Sequence, residues 1–222
     1  MFRAVAFDLD DTLAVTERDR ASILDEAAAR AGVDDGIDRS AYLAAHREHS
    51  GSESRRPVFG ALVEDRETAD ALTRAYREAV GDAMAAVGGA DDLLETLGER
   101  YRLGLLTDGP EGTQRDKLRR LGWEEAFDAV VVTGGIDAPK PEAGGFVGLA
   151  DALDVPPADV VYVGDDPDRD IDGAATAGMT PLQVVYDGGP DPHPLAAATV
   201  RRSNLGALPG LLEGLADGPD DP

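Results

Sequence analysis

Along the chain, short apolar blocks alternate with longer stretches in which apolar positions recur at helical spacing. Residues 3–8, 102–107, 129–132, 159–163 and 181–186 read as strands. Several of these are apolar without alternation, as expected where both faces of a sheet are covered. Helical spacing follows at 111–121, 142–153, 169–177 and 205–215. Strands alternating with helices of about ten residues predict βαβ units and a parallel sheet.

One interval breaks this rhythm. Between residues 15 and 87 the pattern predicts no strand, only Ala-rich amphipathic stretches at 17–31, 39–48 and 67–87, separated by 32–38 and a polar segment at 50–57. This is a helical insertion of about 70 residues placed directly after the first strand. After it, 90–100 reads as the first crossover helix, and no internal repeat interrupts the remainder.

Composition narrows the function classes. The 222 residues carry 44 Asp+Glu against 21 Lys+Arg, a formal charge of −23. An apolar fraction of 42% rules out a disordered polyanion. The absence of cysteine excludes thiolate nucleophiles, Cys-ligated zinc and iron–sulfur clusters. So negative a surface excludes nucleic acid as a partner, because phosphate neutralisation needs clustered cations. Only Lys117 and Lys140 are lysines; every other base is Arg. High acid with little Lys fits a halophilic protein, since in molar salt the Debye length falls to roughly 3 Å and self-repulsion is screened; the alternative is an acidic mesophilic protein from a GC-rich genome. No apolar run approaches the ~20 residues of a membrane span. Met1 leads straight into the first strand without signal-peptide character, so a cytoplasmic location is expected.

Carboxylates collect where open α/β sheets build their sites, at the C-terminal ends of strands. The first strand ends in Asp8-Leu9-Asp10-Asp11-Thr12, the second in Thr107-Asp108-Gly109, and the fourth in Gly164-Asp165 through Asp170. Lys140 stands between two prolines, Pro139 and Pro141. Crowded acids destabilise the fold unless a cation compensates, and hard oxygen ligands of this kind suit Mg²⁺. Phosphoryl chemistry fits the remaining pieces: a carboxylate nucleophile, a second carboxylate as acid and base, and a hydroxyl, a backbone N–H and an ammonium to hold phosphoryl oxygens.

The set Phe7-Asp8-Leu9-Asp10-Asp11-Thr12-Leu13, Leu106-Thr107-Asp108-Gly109, Pro139-Lys140-Pro141 and Val163-Gly164-Asp165-x4-Asp170 resembles the four motifs of the haloacid dehalogenase-like (HAD) hydrolases, in the family's order. The resemblance extends to Val155-Pro156-Pro157 before the fourth motif and Ala177-Gly178-Met179 after it. It implies a Rossmann-like core from residues 1–13 and 88–216 and an α-helical cap domain at 14–87, while the low-complexity tail at 217–222 reads as frayed. Carried over by position, Asp8 becomes the nucleophile and a metal ligand. Asp10 becomes the acid/base, with its backbone carbonyl on the metal. Thr107 and the Asp108 N–H bind the phosphoryl group, and Lys140 neutralises Asp8 and the phosphate. Asp165 becomes a metal ligand, with Asp166 and Asp170 behind it; Asp170 alternatively orients Lys140.

The resemblance further implies that an acid at Asp10 favours phosphate esters over haloacids and phosphonates. The activity implied is a Mg²⁺-dependent, phosphoglycolate-phosphatase-like hydrolysis of a small phosphorylated metabolite through an aspartyl-phosphate, by a monomer or homodimer. The alternatives are a phosphosugar mutase of the same superfamily and a non-enzymatic protein, either a catalytically idle binding protein or a phospho-Asp signalling receiver. A receiver of the latter kind has about 120 residues and no helical insertion.

One departure from the family is Glu142-Ala143-Gly144-Gly145-Phe146, where two glycines occupy the expected start of a helix after Lys140. The Asp168 to Gly173 stretch opens like a calcium loop, but Met179 stands where a bidentate Glu is required. Neither a G-x-G-x-x-G nor a P-loop pattern occurs. His46 and His49 read as a solvated helix end, and His193 has no metal spacing. Arg47, Arg55 and Arg56 stand either against an anionic substrate or in salt bridges with local acids. Trp123 and Phe127 read as core.

Overall fold

The computed structural model describes residues 1–49, 54–136 and 138–217. The chain opens with β1 (Ala4–Phe7), then β2 (Ala14–Thr16), α1 (Arg20–Arg30), α2 (Arg39–Glu48), α3 (Arg56–Gly60), α4 (Arg66–Ala83) and β3 (Met84–Ala86). It continues through α5 (Ala90–Gly98), β4 (Arg102–Thr107), α6 (Glu111–Leu121), β5 (Ala129–Val132), α7 (Ala143–Ala152) and β6 (Val160–Gly164). Last come α8 (Asp172–Thr176), β7 (Thr180–Val185), β8 (Ala198–Arg201) and α9 (Leu208–Asp217).

Six strands form one parallel sheet in the order β5-β4-β1-β6-β7-β8. This is the parallel sheet that the alternation of strands and helices predicts, in the α/β Rossmann-like architecture that the resemblance implies. Val5 and Phe7 of β1 join Leu93, Leu97, Leu105 and Val163 in a core on one face. Ala4 and Ala6 face Phe146, Leu149 and Tyr162 on the other. Both faces are covered, which is why β1 and β6 are apolar throughout. The chain builds β4 and β5 on one side of β1 and then crosses to build β6, β7 and β8 on the other. The crevice at the C-terminal end of β1 is therefore a topological switch point.

Helices α1 to α4 share a separate core around Ile23, Leu24, Tyr42, Phe59, Leu72 and Tyr76. Asp19, Asp38 and Asp65 cap α1, α2 and α4 by accepting from backbone N–H groups of the first turn. Part of the chain's acid is thus structural punctuation.

Three details depart from the sequence expectation. Residues 15–87 do contain strand: β2 and β3 pair antiparallel, Ala14 opposite Ala86, and the helices leave and rejoin the core through this hairpin. Three-residue strands are too short to show a period, and β3 lies in an Ala-rich run that continues the α4 pattern until Ala83. The stretch expected as one helix at 169–177 is a π-helical turn, Pro167–Ile171, followed by α8. Strand β8, at the sheet edge with alternating exposure, had no apolar block to announce it. Of the polar segment at 50–57, residues 50–53 lie outside the described residues, and α3 begins at Arg56. The tail expected to fray also lies outside them, apart from Asp217 at the end of α9. Among the described residues no helix is long and apolar enough to cross a membrane.

Candidate active site

Asp8 follows β1 and is fixed at its backbone, where its N–H donates to the Val163 carbonyl at 2.9 Å. Lys140 Nζ donates to Asp8 Oδ1 and to Asp170 Oδ1, both at 2.6 Å. The three groups are almost wholly enclosed, Asp8 5% and Lys140 7% exposed. Burial pushes the Asp8 carboxyl well above the ordinary carboxylate range; Lys140 pulls it back, and Asp170 and Asp10 push it up again. Burial also disfavours the Lys140 ammonium, but Asp170 and Asp8 outweigh that and hold it protonated. Asp170 accepts from the Asp166 N–H at 3.0 Å through its second oxygen. Gly164 makes this packing possible, since a Cβ there would sit 2.5 Å from Asp170 Oδ2.

Asp165 completes the cluster. Oxygens of Asp8, Asp165 and Asp170 all lie within 4.8 Å of one another. The Thr12 hydroxyl donates to Asp165 at 3.3 Å and the Tyr186 hydroxyl at 3.1 Å, with no cation on it among the described residues. Burial first, then Asp170 and Asp11, raise its pKa to about 7.

Beyond Asp8 the chain turns sharply. Asp11 takes a left-handed conformation (φ 64°), and the N–H groups of Leu13 and Ala14 both donate to the Leu9 carbonyl. The turn sends the Asp10 side chain away from the other three acids, against Lys117 Nζ at 2.5 and 2.7 Å. Gln114 Nε2 donates to Asp10 at 3.0 Å, to Thr107 Oγ1 at 2.5 Å and to the Asp108 carbonyl at 2.9 Å. Burial acts to raise the Asp10 pKa, yet Lys117 and Gln114, with Arg20 beyond, bring it below the ordinary value. Asp108 accepts from Thr133 Oγ1 at 2.6 Å, from the Lys140 N–H at 3.2 Å and from the Arg169 guanidinium. Asp166 instead accepts from the N–H groups of Asp168 and Arg169 in its own loop.

A family model for haloacid dehalogenase-like hydrolases matches residues 5–184. The chain belongs to that family. A glyceraldehyde 3-phosphate phosphatase of Methanopyrus kandleri is 32% identical over 210 residues, covering 83% of this chain and 84% of that one. Among solved structures, a 2-haloacid dehalogenase from Pseudomonas syringae pv. Tomato DC3000 matches with TM-score 0.74 and 25% identity, over 96% of this chain and 99% of that one. A HAD phosphatase from Thermococcus onnurineus matches with TM-score 0.69 and 26% identity over the same shares. Family and fold together set aside the signalling-receiver alternative.

In this HAD hydrolase, Asp8, Lys140, Asp165 and Asp170 share one cluster, and Gln114 joins Asp10, Thr107 and Asp108 beside it. The glycines after Lys140 do not break the helix, because α7 runs from Ala143. Gly145 lets it close on the Ala138 carbonyl, which a Cβ would approach to 3.1 Å. Gln114, Lys117, Arg169 and Tyr186 were not singled out as site residues from sequence. Only Lys117 left a signal there, as the second of two lysines in the chain.

The partnership of Lys117 with Asp10 has a measurable consequence. In Lys117→Met the largest lowering influence on Asp10 is gone, so burial raises its pKa and the acid limb of the pH–rate profile moves to higher pH. If Asp10 serves as a base in turnover, activity at pH 6 is expected to fall by about tenfold or more and to recover toward pH 8, within the ~10²–10⁴-fold contribution of such a group. An unmoved acid limb would show that Asp10 does not govern it.

Proposed function

We propose that this HAD hydrolase is a Mg²⁺-dependent phosphatase that releases phosphate from small phosphorylated metabolites through a phosphorylated Asp8. The observation that carries this reading is a buried trio of carboxylates balanced by one ammonium, beside a fourth carboxylate kept ionised by Lys117. The phosphatases among its relatives support it.

The donor set fits a hard divalent cation. Burial first, then Asp170 and Asp11, raise Asp165 to about 7, a cost that a divalent cation would relieve, and the trio offers only oxygen ligands. Asp8, Asp165 and the Asp10 carbonyl would hold Mg²⁺, with Asp170 and Asp166 behind. The ion would supply positive charge to the phosphoryl oxygens.

The side chains divide the rest of the chemistry. The Lys140 hydrogen bond falls on Asp8 Oδ1, leaving Oδ2 for attack on phosphorus. Thr107 and the Asp108 N–H hold phosphoryl oxygens, and Lys140 offsets their charge. Asp10 carries a proton to the departing alcohol oxygen, then takes one from the water that attacks the phosphorylated Asp8. Lys117 and Gln114 favour the ionised form that this second step needs.

The test is phosphate release from an aryl phosphate and a panel of metabolite monoesters, with Mg²⁺ and with chelator. Metal-dependent release supports the reading; no release, or isomerised ester in place of free phosphate, overturns it. Thermal melting reads the metal separately. Asp165 holds a proton in the metal-free fold that the unfolded chain, at a carboxyl pKa of about 3.9, has already lost. Its contribution to stability is therefore complete below about pH 4 and lost as pH rises through about 7. Mg²⁺ relieves that loss, so the Tm gained on adding it is expected to be larger at pH 8 than at pH 5.5. Equal gains, or none, would count against the cluster as the metal site.

A further inference from the structure

Between the helical insertion and the sheet lies a cavity of about 820 Å³. It meets the smaller depression around Asp8 at Asp10, Asp108, Lys140 and Arg169, which line both. Its charge is opposite to that of the chain. Eight Lys and Arg side chains line it against two acids among the described residues, whereas the whole sequence has 21 bases to 44 acids. Both of those acids, Asp10 and Asp108, already have a cation of their own in Lys117 and Arg169. Among the described residues, Arg20, Arg39, Arg55 and Arg77 on the insertion side therefore face the cavity with no acid on its wall left to balance them, and Arg47 also lines it. Of these, Arg77 pairs outward with Asp116.

Arg55 is the best-defined of the group. It is half-buried, and Nη1 donates to the Tyr42 hydroxyl at 3.2 Å and to the His46 ring at 2.9 Å. Its guanidinium also lies 5.9 Å from the centre of the Tyr76 ring. Burial, then Arg55 itself, push the His46 pKa down to about 4, so the ring is uncharged near neutral pH. Every one of these partners is neutral, so they fix the guanidinium without cancelling its charge. Tyr42, Tyr76 and Phe59 pack on one another with ring centres 5.5 to 5.7 Å apart and hold the platform rigid. Other arginines of the insertion do the opposite: Arg18 and Arg30 pair with Glu26, and Arg56 with Asp70. A planar guanidinium held this way matches a carboxylate or phosphate in bidentate fashion.

We infer that the substrate is a phosphate monoester carrying a second anionic group, a carboxylate or another phosphate, and that Arg55 with Arg20 receives this group across the cavity from Asp8. The inference rests on the phosphatase reading for the position of the ester. Arg20, the first residue of α1, lines the same cavity as Arg55 and Asp10.

The experiment compares pairs that differ only in the second group, at one fixed KCl concentration. 3-Phosphoglycerate against glyceraldehyde 3-phosphate tests the carboxylate, and fructose 1,6-bisphosphate against fructose 6-phosphate tests the phosphate. At least one pair is expected to show a preference of about tenfold or more in kcat/KM for the anionic member. Arg55→Gln should reduce that preference by about tenfold, while Arg56→Gln, outside the cavity and paired with Asp70, should leave it unchanged. Parity in both pairs, a preference for the neutral members, or an unchanged ratio in Arg55→Gln would overturn the inference. Binding of the same four esters to Asp8→Asn, followed calorimetrically, keeps the two readings apart. If the wild-type protein turns over no ester, the phosphatase reading fails. Tighter binding of the anionic members would still uphold the cavity's selectivity, and equal binding would overturn it.

Discussion

Asp8→Asn is expected to lower kcat/KM for phosphate release by about 10³-fold or more, without loss of the fold. The amide has the size of the carboxylate and keeps a carbonyl oxygen where Asp8 Oδ1 accepts from Lys140 at 2.6 Å. It lacks the charge that makes the side chain a nucleophile, and removal of such a group alone costs rates on that order or more. Stability should respond differently. Burial and two neighbouring acids make ionisation of Asp8 unfavourable in the metal-free protein. A neutral amide removes that repulsion, so the metal-free Tm of the variant should equal or exceed that of the wild type. Phosphate assays and thermal melts on the same preparation check both parts. Activity within tenfold of wild type would remove Asp8 from the nucleophile's role.

Lys140→Met is expected to affect stability as well as activity. Lys140 is the ammonium that bridges Asp8 and Asp170, and all three side chains are buried. The substitution leaves two enclosed carboxylates facing one another with no cation between them. Removing one member of a buried ionic set typically costs about 3–5 kcal/mol, because the remaining charge is left without compensation. For a chain of this size that corresponds to a Tm lower by roughly 6–20 °C. A second change, Asp170→Asn, should restore part of the loss by removing one stranded charge, and coupling of this kind is what a double-mutant cycle measures. Recovery of Tm without recovery of turnover would separate the electrostatic role of Lys140 from its chemical one. No destabilisation in the single variant would contradict the burial of the pair.

The acids at the strand ends were legible because each belongs to a local pattern: an apolar strand delivers it to the edge where parallel sheets open. Asp8, Thr107 and Asp165 needed only the strand boundary, and β4 and β5 match the apolar blocks residue for residue. The hairpin of β2 and β3 was not legible, because two three-residue strands are stabilised by pairing across about 70 residues of intervening chain. Gln114 and Lys117 were hidden for a similar reason. Both lie on α6, and only the rotation of that helix against the turn after β1 brings Lys117 to Asp10, 107 positions away in sequence.

The same division applies to charge. The sequence by itself determined the order of the five apolar strands, the three acidic clusters at their ends with Lys140 between its prolines, and the total of −23. It left Arg47, Arg55 and Arg56 equivalent, three bases in one polar stretch. Tertiary structure decided that Arg56 turns to Asp70 while Arg55 rests on neutral aromatic rings inside the cavity. A sum of charges follows from composition alone. The field at any point depends on separations between groups remote in the chain and on how much water lies between them. A strongly acidic protein can therefore enclose a basic cavity.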